Sequence, residues 1–73
     1  MKTVTHFANP DLELEVVWEA DWTNPQHGSV PAVCRRGDSW YGGEIDKEGT
    51  KLYYVNLYGD ESTARRYAES LIW

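Results

Sequence analysis

The chain has 73 residues, a net charge of −5 and a single cysteine, Cys34. That length allows one domain with one small core, and one cysteine excludes an intramolecular disulfide framework. The acidic balance disfavours a general nucleic-acid or anionic-membrane binder, because neutralising phosphates needs a positive surface.

Small domains without disulfides rely on large apolar side chains. This chain has four Trp, five Tyr and one Phe, each able to bury about 150–250 Å². Residues 1–10 have Val4 and Phe7 as their large apolar positions after the initiator, and read as an N-terminal arm anchored at one or two points. From residue 12 to residue 22 the chain alternates. Leu12, Leu14, Val16, Trp18, Ala20 and Trp22 hold one parity, and Glu13, Glu15, Val17, Glu19 and Asp21 the other. That period of two predicts a half-buried antiparallel strand.

Thr23, Asn24, Pro25 and Gly28 mark a loop. A second strand is predicted over 29–36, at an edge or starting after Pro31, which lacks a ladder donor. Arg36-Gly37-Asp38-Ser39 reads as a hairpin turn; its adhesion-like tripeptide has no secretory context. A third strand is predicted over 40–46, where Gly42-Gly43 marks a bulge or a close backbone approach. After a turn at 47–50, a fourth strand covers 51–58. Asp60 or Ser62 caps a helix whose stripe is Ala64, Tyr67, Ala68, Leu71 and Ile72. Glu61 and Arg65 are spaced for an i,i+4 pair.

The predicted architecture is α+β: a four-stranded antiparallel meander with one C-terminal helix packed on one face. The whole of 1–73 forms one domain, with an arm at 1–10, a sheet at 11–58 and a helix at 60–72.

Catalysis has little to build on. Cys34 has no adjacent base, His6 and His27 lie far apart in the chain, and no nucleophile elbow or metal-ligand spacing is present. The expectation is a non-enzymatic protein without metal or cofactor. No cationic start leads into an apolar run, and no stretch approaches the ~20 apolar residues of a bilayer span. A cytoplasmic setting is therefore expected, with Cys34 as a small core residue.

Charge and aromatics suggest binding instead. Residues 1–30 hold one base, Lys2, against Asp11, Glu13, Glu15, Glu19 and Asp21, while 31–73 hold six bases against seven acids. On one strand face, where positions of one parity repeat about every 6.6–6.8 Å, Glu13, Glu15, Glu19 and Asp21 would form a nearly linear row with Val17 as its one gap, a spacing comparable to successive phosphates. Trp40 and Tyr41 must point to opposite sides of one strand, as must Tyr53 and Tyr54 of the next, which places some aromatics on a free face. Exposed Trp and Tyr are enriched at binding hot spots. Glu13, Glu15, Glu19, Asp21, Trp40, Tyr41, Tyr53 and Tyr54 are thus the candidate partner-binding residues.

Residues 33–69 also carry a family likeness. Val33-Cys34-Arg35-Arg36, Trp40-Tyr41, Glu44-Ile45, Gly49-Thr50-Lys51, Leu57-Tyr58 and Ala64-Arg65-Arg66-Tyr67-Ala68 resemble the three-stranded-sheet-plus-helix DNA-binding domains of plant ethylene-response proteins and phage integrase arms. The likeness implies DNA contact through Arg35, Arg36, Lys47 and Lys51, but Asp38, Glu44, Asp46 and Glu48 are interspersed with them. In style alone, the chain resembles small acidic phage-encoded inhibitors such as anti-CRISPR proteins.

The leading expectation is a protein-binding inhibitor docking on a basic, nucleic-acid-handling protein partner, with direct nucleic-acid binding disfavoured. The alternatives are an integrase-arm-type DNA-binding module, using Arg65 and Arg66 as well, and an assembly subunit acting as a homodimer or larger homo-oligomer.

Overall fold

The computed structural model describes residues 2–71. Six elements follow in order: β1 (Thr3–His6), β2 (Asn9–Glu19), β3 (Val30–Arg36), β4 (Ser39–Ile45), β5 (Lys51–Tyr58) and α1 (Glu61–Glu69). Each strand pairs with its sequence neighbour, and β5 returns to β1, closing the sheet into a barrel. Each hairpin reverses direction, so the first and fifth strands of a meander run the same way. The closing pair is accordingly parallel, with Thr5 beside Lys51 and His6 beside Leu52.

This corrects the expected four-stranded sheet, and with it the arm at residues 1–10. The segment holds a strand of its own, too short at four residues for an alternation to be visible. Its one deeply buried residue, Val4 (2 % exposed), drops into the barrel. Closure also satisfies backbone groups that an open sheet leaves unpaired. The N–H groups of Thr5 and Phe7 donate to the carbonyls of Thr50 and Leu52 at 3.0 and 3.2 Å. Asn9 and Pro10 fall inside β2, at a register break beside the β1–β2 turn.

In β2 the expected alternation holds as far as Val16 and then breaks. Val16 lies opposite Cys34 while Trp18 lies opposite Val33, so β2 carries one extra residue at Val17, a β-bulge. That residue reverses the facing of everything after it. Leu14 and Val16 pack into the barrel with Val4, Ala32, Cys34, Ile45 and Leu52. Trp18 faces outward and joins Val33, Trp40, Tyr58, Ala64 and Ala68 beneath α1. The single buried face expected for this strand is therefore split, with Leu12, Leu14 and Val16 inside the barrel and Trp18 under the helix.

The helix packs on the outer wall of β3, β4 and β5. Gly42 makes room for it: a Cβ there would lie 2.7 Å from the Ala64 carbonyl oxygen. Asp60 caps the helix, its Oδ1 accepting from the Thr63 N–H at 2.7 Å. Arg65 pairs with Glu69 at 3.8 Å rather than with Glu61, and its guanidinium lies 4.6 Å from the Trp18 ring centroid. The helix ends at Glu69 with Ser70 as C-cap, and Leu71 is buried. Ile72, included in the expected helix stripe, lies outside the described residues.

The close approach expected at Gly42-Gly43 is present on both sides. A Cβ on Gly43 would lie 2.5 Å from the Tyr53 carbonyl oxygen. The extra residue sits across the ladder, in β5. Gly42 pairs with Asn56 and Glu44 with Tyr53, so three steps of β5 span two of β4. Tyr54, in that bulge, has φ 55°, the one non-glycine residue with positive φ among those described.

Candidate functional site

The four acidic candidates do not form a row. Glu13 and Glu15 precede the bulge and stay on the outer wall. Glu15 faces Arg35, Oε1 to Nη2 at 3.5 Å, and the Arg36 guanidinium donates to the Glu13 carbonyl at 3.5 Å. Glu19 follows the bulge, lies opposite the core residue Ala32, and binds the Lys2 ammonium at 2.8 Å. Asp21 lies beyond the end of β2, in an exposed bend. Such exposed ion pairs contribute about 0–1 kcal/mol each, but they do mix the signs of charge along this wall.

The aromatic candidates divide as well. Trp40 belongs to the cluster beneath α1, with the Arg35 guanidinium 5.6 Å from its ring centroid. Tyr41 turns the other way and packs against the barrel core. Tyr53 and Tyr54, separated by the β5 bulge from simple alternation, both reach surface rings. Tyr53 stacks on Phe7 at 5.6 Å, and Phe7 on His6 at 5.0 Å. Tyr54 stacks on His27 at 4.8 Å. Phe7 is 47 % exposed and Tyr54 51 %, so each of these two ring stacks presents apolar area to solvent.

Beneath Tyr54 lies a polar cluster that sequence reasoning passed over. Glu44 is fully buried. Its Oε2 accepts from Asn24 Nδ2 at 2.8 Å and its Oε1 lies 3.0 Å from His27 Nδ1. Asn24 also donates to the Leu71 carbonyl at 3.0 Å and accepts from the Gln26 N–H at 2.9 Å. One side chain thus joins β4, the loop between β2 and β3, and the segment after α1. The signal was present: Glu44 has the same parity as Gly42, the face that receives the helix, where a carboxyl needs a partner. In the sequence, Asn24 before Pro25 carries only the mark of a turn.

Tyr54 is fixed from two directions. His27 stacks on its ring, and its carbonyl accepts from the Tyr67 hydroxyl at 2.8 Å. Burial raises that hydroxyl above its ordinary pKa; the Asn56 side chain opposes the shift, and Tyr58 and Glu44 reinforce it. The Cys34 thiol is pushed up to about 12, first by burial and then by the charge of Glu19, with Lys2 opposing. It is a core residue with little thiolate character.

On β3 to β5, the sheet face away from α1 is the barrel interior, filled by Ala32, Cys34, Ile45 and Leu52. In the integrase-arm-like arrangement, a sheet face is what enters the DNA groove. Among the described residues there is no pocket, no gathering of three or more potential metal ligands, and no helix long and apolar enough to cross a membrane. No family model, curated protein or solved structure matches the chain.

Proposed function

We propose that this is a non-enzymatic protein that docks on a protein partner through its exposed ring stacks, Tyr54 on His27 first and His6, Phe7 and Tyr53 beside it in the contact. The observation that carries the reading is Tyr54. A bulky side chain in the left-handed region costs on the order of 1–3 kcal/mol, and glycine would sit there without strain. Tyrosine occupies it nonetheless, half exposed, with its backbone and ring both held from behind. Rigid aromatics presented with little rotamer freedom are what binding hot spots use.

The acidic residues set the character of the partner. A chain of charge −5 associates fastest with a basic surface, and its charges act on rate and salt dependence more than on final affinity. Inhibition of a nucleic-acid-handling protein is the specific form of this reading. The row of phosphate-like carboxylates is not needed for it, and the rings carry the contact. Integrase-arm-type DNA binding ranks below it, because groove entry would have to use a surface other than the filled sheet face.

The test compares three baits in a host lysate: wild type, Tyr54→Gly, and the double variant Glu13→Gln, Glu15→Gln. Tyr54→Gly removes the ring and relieves the backbone together, so stability should change by no more than about 1 kcal/mol. It should lose the protein captured by wild type, while the double variant retains it with weaker salt dependence. Equal capture by wild type and Tyr54→Gly would refute the Tyr54 site.

A further inference from the structure

The barrel closes over part of β5 only. β1 lies beside Lys51 and Leu52, and the Phe7 N–H makes the last bond to the Leu52 carbonyl. Past that point the β1–β2 turn carries the chain away. Among the described residues, Asn56, Leu57 and Tyr58 are paired on the β4 side alone, and Val55 lies in the bulge just before them.

Leu57 records the missing neighbour. It lies opposite Tyr41, which packs into the barrel core, so it has the inward parity. Yet it is 63 % exposed. Sheet edges are ordinarily protected by charges, proline or a covering segment. Residues 52–59 contain neither a charge nor a proline.

The edge is also symmetric in chemistry. Tyr54-Val55-Asn56-Leu57-Tyr58 reads aromatic, aliphatic, amide, aliphatic, aromatic in either direction. We infer that this edge pairs with the same edge of a second copy of the chain, antiparallel about Asn56. Val55 of each copy then meets Leu57 of the other on the inner side, covering the exposed leucine and extending the barrel wall. Asn56 meets Asn56, and no like charges oppose each other at the seam. The Tyr54 carbonyl is already engaged by Tyr67, so residues 55–58 supply the backbone bonds. Each copy carries −5, so the pair is opposed by long-range repulsion and strengthens as salt screens it.

Sedimentation from micromolar concentration to about 1 mM, at low and high salt, should give a monomer–dimer equilibrium that Leu57→Lys weakens at least tenfold, roughly. Leu57 is exposed, so that variant keeps its circular dichroism spectrum. Asn56→Cys should crosslink to itself under mild oxidation, because directly opposed residues of an antiparallel pair lie about 4.5–5.5 Å apart, within disulfide reach. Cys34 does not compete, being buried. Three results would overturn the inference. One is a chain that stays monomeric at the top concentration in high salt, which would leave the edge to a foreign strand. The others are a dimer indifferent to Leu57→Lys, and crosslinking of Asn56→Cys no greater than that of Lys47→Cys in the β4–β5 turn.

Discussion

Asn24 is a small side chain in a loop, yet its removal should be among the most damaging single changes in the molecule. Asn24→Ala deletes its hydrogen bonds to the Glu44 carboxyl, the Leu71 carbonyl and the Gln26 N–H. A typical protein hydrogen bond contributes about 1 kcal/mol net, and leaving a buried acceptor unsatisfied costs about 1–3 kcal/mol more. Glu44 is fully buried, so the estimate is about 3–4 kcal/mol in all. At about 0.05–0.15 kcal/mol per residue, a chain of this length has roughly 4–11 kcal/mol in total. A loss of about 3 kcal/mol should lower the melting temperature by roughly 12–24 °C. Asn24→Asp makes the sharper test. It is the same size, but it replaces the donor facing Glu44 with a second carboxyl oxygen and should be at least as destabilising as alanine near neutral pH. Thermal and urea denaturation followed by circular dichroism measure both. If Asn24→Ala melts within a few degrees of wild type, or if Asn24→Asp is neutral, water satisfies the Glu44 site and the cluster does not tie the loop to the barrel.

Two further outcomes follow from the packing and the cap. Gly42→Ala should cost about 1–3 kcal/mol in urea denaturation, because its Cβ meets a backbone oxygen of α1 that can yield only if the helix shifts; unchanged stability would mean the helix rides loosely. For Asp60, the Thr63 N–H and hydroxyl hold the carboxyl below its ordinary 3.8; desolvation opposes them, and Ser62 and Arg66 add smaller lowering effects. That stabilisation is complete above 3.8 and is lost as the pH falls through the lower folded value. Asp60→Asn keeps an acceptor at the cap and should flatten the acid end of the helical signal, a change visible in far-ultraviolet circular dichroism.

Strands β3, β4 and β5, the turns between them and the helix cap were legible from residue type and spacing. The closure was not. Four residues cannot display a period, and nothing local in Thr3 to His6 says that their partner lies at Lys51. The bulge at Val17 was hidden for a different reason. Alternation of residue types continues through Trp18 to Trp22, but the face a side chain takes depends on its register with β3, and a bulge changes register without changing composition. That one insertion placed Glu19 across from Ala32 and Trp18 under the helix. Tyr54 is similar: a glycine there would have announced a bulge, and a tyrosine concealed it. The Glu44 cluster depends on tertiary contact between three segments that no window of sequence spans.

The parallel seam has a consequence in time. Each hairpin of the barrel joins neighbouring segments, whereas the seam joins Thr5 to Lys51, and a long loop must be closed before those contacts repay its entropy. All four hairpins, β1–β2 included, can zip early, which leaves the β1–β5 seam to close last. Contacts made after the rate-limiting step govern how fast a protein opens rather than how fast it folds. On that order of events, the bonds from Thr5 and Phe7 across the seam would act as a latch on the lifetime of the closed barrel. During synthesis β1 emerges first, and must wait unpaired on that side until the chain has been extended past Leu52.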